Sequence, residues 1–144
     1  MKNGSQNADG FTLIELLVAM TLLTIGIFSI ISMQVTAIKS NSIANRLSTA
    51  SALAQESMDD IMAWSISDPT LNASTTNAVY DLNGPDSGTN ITVSSAGTFS
   101  ATYTTTINTP VAGVTRIVVN VYRVINGVRE TNPTVSISSC KRIT

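Results

Sequence analysis

The chain has 144 residues, of which 43% are hydrophobic and only 12% are charged, and its formal net charge at pH 7 is −1. This length suits one domain with at most one extra segment, and the near-neutral charge gives no reason to expect nucleic acid as a partner. Histidine is absent, and cysteine occurs once, as Cys140. These counts exclude histidine bases, Cys/His zinc sites, cysteine–histidine dyads and an intramolecular disulfide. We therefore expect neither an enzyme nor a protein that binds a metal or cofactor.

An uncharged, mostly apolar segment of 23 residues runs from Leu16 to Ile38. As a helix it would be about 35 Å long, and the hydrocarbon core of a membrane is about 30 Å thick. The segment is longer than the apolar core of a secretory signal, and no cysteine follows it, as a lipoprotein signal would require. We therefore predict a retained membrane anchor whose preceding residues lie in the cytoplasm.

The helical pattern continues beyond this anchor as a one-sided stripe. Apolar or small residues recur at steps of three or four, namely Ile43, Leu47, Ala50, Ala54, Met58, Ile61 and Met62. No proline precedes Pro69, and the residue before a proline disfavours the helical conformation. The sequence therefore predicts a single helix from about Phe11 to about Trp64.

The second half of the chain has the period of two that is typical of strands. The predicted strands are Val79–Leu82, Ile91–Val93, Thr98–Ile107, Thr115–Ile125 and Thr134–Ser139. Asn126-Gly127 is a strong hairpin signal, and Pro133 favours an edge position for the last strand. The pattern predicts an α+β fold, in which a three- or four-stranded antiparallel meander is covered by the stripe from Ile43 to Met62.

Two other groups of residues are interpreted as structural. Asp81, Asn83 and Asp86 have oxygen ligands for calcium, but Pro85 interrupts the usual ligand spacing and no bidentate glutamate follows, so a plain Asx turn is preferred. Cys140 is interpreted as a small hydrophobic residue near the end of the chain rather than as a reactive thiol.

The charges are segregated along the chain. Six acidic residues and no basic residue lie between Leu47 and Thr98, whereas five of the six charged residues after Thr98 are basic. This pattern is compatible with an ordinary solvated surface. It is also compatible with complementary faces in a head-to-tail contact between subunits.

Residues 10–19 read Gly-Phe-Thr-Leu-Ile-Glu-Leu-Leu-Val-Ala and closely resemble the type IV prepilin signature. The resemblance implies that a prepilin peptidase cuts after Gly10 and methylates the new amine of Phe11. It also implies a fold in which a long N-terminal helix lies against an antiparallel sheet. Among such proteins, the chain is most similar to the PilV-type minor pilins, through Ile25-Gly26-Ile27, Met33-Gln34, Asn41, Ala44 and Arg46.

Glu15 is the charged residue of this signature. A carboxylate at the centre of a membrane helix costs about 2.5–3.5 kcal/mol, and it costs less near the interface, where Glu15 can snorkel towards the cytoplasm. The resemblance implies instead that Glu15 pairs with the N-terminal amine of a neighbouring subunit during assembly. Such pairing would stabilise two charges that are each costly in hydrocarbon. Glu15 is therefore predicted to be a docking residue and not a catalytic one.

The resemblance also sets the expected organisation: a leader at 1–10, an anchor at 11–38, an amphipathic helical half at 39–66, and a loop and sheet at 67–144 that form a head with 39–66. The expected partners are a prepilin peptidase, other pilin subunits, the pilus assembly platform and the bacterial inner membrane, with the head in the periplasm and later on the cell surface. The expected function is that of a minor type IV pilin. A type II secretion pseudopilin and a single-pass membrane protein with a periplasmic ligand-binding β domain are the alternatives.

Overall fold

The computed structural model describes residues 11–84 and 89–143. It contains one α-helix, α1 (Leu13–Ala63), followed by strands only. The strands are β1 (Thr75–Tyr80), β2 (Asn90–Val93), β3 (Gly97–Thr106), β4 (Val114–Ile125), β5 (Val128–Arg129) and β6 (Val135–Arg142). The chain divides into two compact units, Met1–Ser40 and Asn41–Thr144. We call the second unit the head. The predicted α+β class and the single long helix are confirmed.

The sheet of the head is antiparallel throughout, with β3 and β4 at its centre. β1 and β2 both pair with the outer side of β3, while β5 and β6 both pair with the outer side of β4. The sequence predicted a three- or four-stranded sheet, whereas the described residues form six strands, because two strands share each edge. Polar loops and turns interrupt both edges, and for this reason the sequence did not show six separate strands.

The helical half of the head packs on the sheet through residues spaced by three and four positions. The buried positions of α1 are Ala50, Leu53, Ala54, Ser57, Met58 and Ile61. They contact a core that includes Leu71, Phe99, Ala101, Ile117, Val119 and Val121. Full burial of one large apolar side chain contributes about 1.5–3 kcal/mol, so this face is the main source of stability in the head.

The predicted apolar stripe begins too early along the helix, because its first two residues do not pack on the sheet. Ile43 and Leu47 are 57% and 49% exposed, and burial starts only at Ala50. The two residues line a cleft of about 210 Å³ beside Phe99, which is itself fully buried. Periodicity identifies the side of a helix that turns towards the sheet. It does not show how far along the helix the sheet reaches.

Two turns form where the sequence predicts them. Asn126 and Gly127 have φ values of 51° and 78°, as a tight two-residue hairpin between β4 and β5 requires. The backbone N–H of Asn83 donates to Oδ1 of Asp81 at 3.1 Å, which is the predicted Asx turn. Asp86, the third residue of that motif, lies outside the described residues.

The interpretation of Cys140 as a small hydrophobic residue is wrong, because Cys140 is exposed. It lies on β6 opposite Arg116 of β4, and among the described strands β6 pairs only with β4. Alternate residues of β6 turn away from the core, and Cys140 is one of them. The edge position predicted for the last strand is confirmed.

Candidate functional site

The first turn of α1 begins immediately after the residues of the predicted cleavage site. Phe11 and Thr12 precede the helix, which starts at Leu13. The hydroxyl of Thr12 accepts the backbone N–H of Glu15 at 3.3 Å, and the carbonyl of Thr12 accepts the N–H groups of Glu15 and Leu16. Thr12 is therefore the N-cap of α1. The cap satisfies one of the N–H groups that every helix start leaves without a partner inside the helix.

Glu15 is the acidic residue of this first turn and is exposed. A carboxylate near a helix N-terminus is stabilised by the partial positive charge of the helix dipole. Phe11 is 86% exposed, so its side chain makes little contact with the rest of the described chain. Both residues are available to another molecule. Gly10, the third predicted site residue, lies outside the described residues.

The first unit presents apolar side chains on every side of the helix. All its described residues are exposed, including Leu13, Met20, Ile25, Phe28, Ile31 and Met33. The helix is long and apolar enough to cross a membrane. An exposed apolar surface of this extent is stable only against lipid or against other apolar helices.

Hydroxyl groups in the apolar half are bonded to the helix itself. Thr21 donates to the carbonyl of Val18 at 2.7 Å, Thr24 to that of Thr21 at 2.8 Å, and Ser32 to that of Ser29 at 2.8 Å. In hydrocarbon no water can satisfy a hydroxyl, and a hydrogen bond to a carbonyl one turn earlier removes that cost. These three hydroxyl groups are therefore compatible with an apolar environment.

The other end of α1 is held to the sheet by polar contacts. The Nζ of Lys141 on β6 donates to the carbonyls of Met62, at 2.6 Å, and Trp64. The hydroxyl of Tyr80 on β1 donates to Oδ2 of Asp60 at 2.6 Å. Burial, this hydrogen bond and nearby acidic charges raise the pKa of Tyr80 above its usual value. Both edges of the sheet thus contact the same helix end.

Two further side chains near this end of the helix, Tyr103 and Asp68, have shifted pKa values. Burial, together with the charge of Asp68, raises the pKa of Tyr103, whose ring packs edge-on against Trp64 at 5.6 Å between centroids. Hydrogen bonds from Thr70 lower the pKa of Asp68. Its Oδ1 accepts the backbone N–H of Thr70 at 2.8 Å, in the turn that follows the helix. These groups hold the helix end in place.

Phe11 and Glu15, the predicted site residues that the structure describes, thus lie together at the start of α1, while Lys141 and Tyr80 act at its other end. Sequence reasoning missed Thr12, although the spacing Thr-x-x-Glu from Thr12 to Glu15 is a known helix-start pattern. It also missed Lys141. No sequence signal identifies that residue, because its partners Met62 and Trp64 are more than seventy positions away.

A comparison with protein families supports the reading of this helix start. A family model described as the prokaryotic N-terminal methylation motif matches residues 5–31. The chain carries a type IV pilin-like signature. This signature marks a structural, pilin-type protein rather than an enzyme, and it is the mark of pilin-like or pseudopilin-like proteins that undergo prepilin processing. It implies processing by a prepilin peptidase and assembly with other pilins.

The signature and the apolar helix that follows it fit anchoring in a membrane. The match covers only the start of the chain, so the head is characterised by its fold alone. Comparisons with curated proteins and with solved structures gave no match.

Proposed function

We propose that this chain is a minor type IV pilin. In this proposal the peptidase cuts between Gly10 and Phe11, the amine of Phe11 is methylated, and the subunit waits in the inner membrane with its head in the periplasm. The pilus assembly platform then transfers it into a filament of other pilin subunits. The observation that carries the proposal is the methylation motif at 5–31, which leads directly into the apolar first half of α1.

The proposed role of Glu15 follows from its place in the first turn. Glu15 is exposed near the start of α1, and all described apolar side chains of the first unit, up to Ile38, are exposed as well. In a filament core made of such helices, an isolated carboxylate would be costly. A neighbouring subunit's methylated amine at Phe11 is a cation that emerges at nearly the same level of the helix. The pair would give each charge a partner, as the resemblance to pilins implies.

Two features favour a minor over a major subunit. Many major pilins close their C-terminal region with a disulfide, and this chain has the single cysteine Cys140. Many also carry a helix-breaking proline in the apolar half, whereas position 32 is serine, and Ser32 donates to the carbonyl of Ser29 within an unbroken helix. Both features distinguish this subunit from the usual building block of the filament.

The proposal is tested by measuring where the chain resides and in what amount. Filaments sheared from the host cells are analysed by quantitative mass spectrometry beside the inner-membrane fraction. A minor pilin is present in the filaments at a small fraction of the amount of the main subunit. Absence from surface filaments combined with copurification with a type II secretion complex would identify a pseudopilin. Retention in the membrane alone would identify a single-pass membrane protein.

A further inference from the structure

Two adjoining clefts lie beside the end of α1, at the β1 edge of the sheet. The larger has a volume of about 300 Å³ and a lining that includes Asp60, Trp64, Val79, Tyr80, Asp81 and Tyr103. The smaller has a volume of about 180 Å³, shares Asp60, Tyr80 and Asp81 with the larger, and adds Glu56. Because the two share a wall, we treat them as one site and call it the aromatic–acidic cleft. Ligand pockets in proteins begin at about 300 Å³, so the site has the size for a small molecule.

The larger cleft contains most of the aromatic side chains of the head. Trp64, Tyr80 and Tyr103 are three of only five aromatic residues between positions 41 and 144. The ring centroids of Trp64 and Tyr103 are 5.6 Å apart, and the two ring planes meet at 85°. The two rings therefore form the walls of a corner instead of a flat stack. Aromatic faces attract cations through their quadrupole, and they also pack against aliphatic chains.

The acidic side chains of the aromatic–acidic cleft are not balanced by basic ones. Of the described residues that line it, Glu56, Asp60 and Asp81 are acidic, and none is a lysine or an arginine. The basic residue at this end of α1 is Lys141, whose Nζ already donates to two backbone carbonyls of the helix end. The cleft therefore concentrates negative charge that a bound cation would neutralise.

The three carboxylates act on one point, the hydroxyl group of Tyr80. This hydroxyl donates to Oδ2 of Asp60 at 2.6 Å, which leaves Oδ1 of Asp60 to accept a hydrogen bond from a ligand. Burial and this hydrogen bond, followed by the charges of Asp60, Glu56 and Asp81, raise the pKa of Tyr80. The wall that both clefts share is thus the place where an added positive charge meets all three carboxylates.

A linear aliphatic polyamine has the chemistry that matches these surfaces. Each primary ammonium group of such a molecule carries a positive charge and three hydrogen-bond donors, which suit carboxylate oxygens. The methylene groups between the ammonium groups are apolar and pack on ring faces. A quaternary ammonium has no N–H group for the carboxylates, and a divalent metal ion takes oxygen ligands and makes no use of the rings.

We propose that the aromatic–acidic cleft binds a linear polyamine through two of its ammonium groups. One ammonium group binds in the smaller cleft, between Glu56 and the shared carboxylates of Asp60 and Asp81. The chain then runs into the larger cleft, where its methylene groups and its next ammonium group lie against the rings. Charge complementarity is the argument for this ligand. The inference goes beyond the proposed function and does not rest on it, because ligand binding by the head requires no filament.

The single tryptophan of the chain, Trp64, lines the site and reports on it directly. The full chain is purified in an uncharged detergent and titrated with spermidine at constant ionic strength, while the fluorescence emission of Trp64 is recorded. We expect a saturable change, because the ligand contacts the ring. Butylamine has one ammonium group and should bind roughly tenfold more weakly, since it loses one charged contact. Tetramethylammonium chloride and MgCl2 should give no saturable change.

Substitutions of single carboxylates show where spermidine binds. Asp81→Asn and Glu56→Gln should each lower its affinity by roughly tenfold, because each removes one charged acceptor. Asp59→Asn is the matched control, since Asp59 is an exposed acid next to Asp60 in the chain and lines neither cleft. It should leave the affinity unchanged. Glu56 is an exposed residue of α1, so its substitution tests the site without disturbing the core.

Each contrary outcome refutes a stated part of the proposal. The absence of a saturable change with spermidine refutes the site, and equal responses to spermidine and MgCl2 would show screening or metal binding instead. Equal affinities for spermidine and butylamine refute binding through two ammonium groups. Equal effects of Asp81→Asn and Asp59→Asn would show attraction to the whole acidic surface. All of these results leave the proposed function intact, whereas absence of the chain from filaments refutes the proposed function alone.

Discussion

The Nζ of Lys141 donates a hydrogen bond of 2.6 Å to the carbonyl oxygen of Met62, and a second bond reaches the carbonyl of Trp64. Lys141 is on the last strand of the sheet, whereas Met62 is in the last turn of α1. The last turn of α1 contains no basic residue of its own. Lys141 therefore supplies the positive charge that stabilises a helix C-terminus, and it satisfies carbonyls that have no partner within the helix.

Because the sheet supplies this cap within the head, we predict that the head folds without the first unit. A fragment of residues 41–144 keeps the buried stripe of α1, the whole sheet and the Lys141 contacts. It should be a soluble monomer that unfolds cooperatively on heating. Circular dichroism and hydrogen exchange check this expectation. A fragment with helical signal but without slowly exchanging amides would show that the packing of α1 on the sheet is insufficient.

Removal of the cap should weaken the head measurably. In the fragment 41–144, Lys141→Met keeps most of the aliphatic chain but leaves the carbonyls of Met62 and Trp64 without their charged partner. We expect the free energy of unfolding to fall by about 1.5–3 kcal/mol, the range for hydrogen bonds to charged groups. Arg142→Met, on the neighbouring exposed position, should change it by less than about 0.5 kcal/mol. Equal effects of the two variants would refute the capping role.

The stability of the head should depend on Tyr80 at alkaline pH. Burial and the bond to Asp60 raise the pKa of Tyr80 above its usual value of 10.0, so the folded state holds this proton more tightly than the unfolded state. The stabilisation is complete below pH 10 and is lost as the pH rises above 10. Denaturant titrations between pH 8 and pH 11 should show this loss in the wild-type fragment, and Tyr80→Phe should reduce its slope. An unchanged slope would mean that Tyr80 is not responsible.

Much of the secondary structure of the head could be predicted, because the sequence patterns that specify it lie within short stretches of the chain. The alternation along β3 and β4 and the pair Asn126-Gly127 specify two hairpins within a short stretch of chain. β1 could not be delimited in this way. Its first residues are polar, and the backbone N–H groups of Thr75 and Asn77 are satisfied by threonine hydroxyls of β3 at 3.1 Å. Such contacts between distant residues leave no periodic pattern.

The functional residues likewise divide into those that form a local sequence motif and those that only the fold brings together. Glu15 and Phe11 belong to a contiguous motif, so their roles can be predicted from the sequence alone. A cleft beside the end of α1 is lined by Asp60 of α1, Tyr80 of β1 and Tyr103 of β3, and only the fold brings these three residues together. A site assembled from separate elements requires the topology, which the composition and spacing of residues do not specify.

The variant Glu15→Ala should separate membrane insertion from assembly. Cleavage and insertion should remain normal, because a costly charge has been removed from the apolar half. Incorporation into filaments should fall strongly, because loss of one partner of a buried pair costs about 3–5 kcal/mol. The measurement is the amount of subunit in sheared filaments relative to the membrane fraction, with Asp59→Ala as the control. If Glu15 only snorkels to the interface, incorporation will equal that of the wild type.

We propose that this chain is a prepilin whose mature form begins at Phe11. Mass spectrometry of the N-terminal peptide from host membranes and filaments tests it most directly. We expect a peptide that starts at Phe11 and carries a methyl group on its amine. In Gly10→Val, the branched side chain should block the peptidase, so that the uncut chain stays in the inner membrane. A wild-type protein that keeps residues 1–10, or a Gly10→Val variant that is shortened normally, would refute cleavage after Gly10.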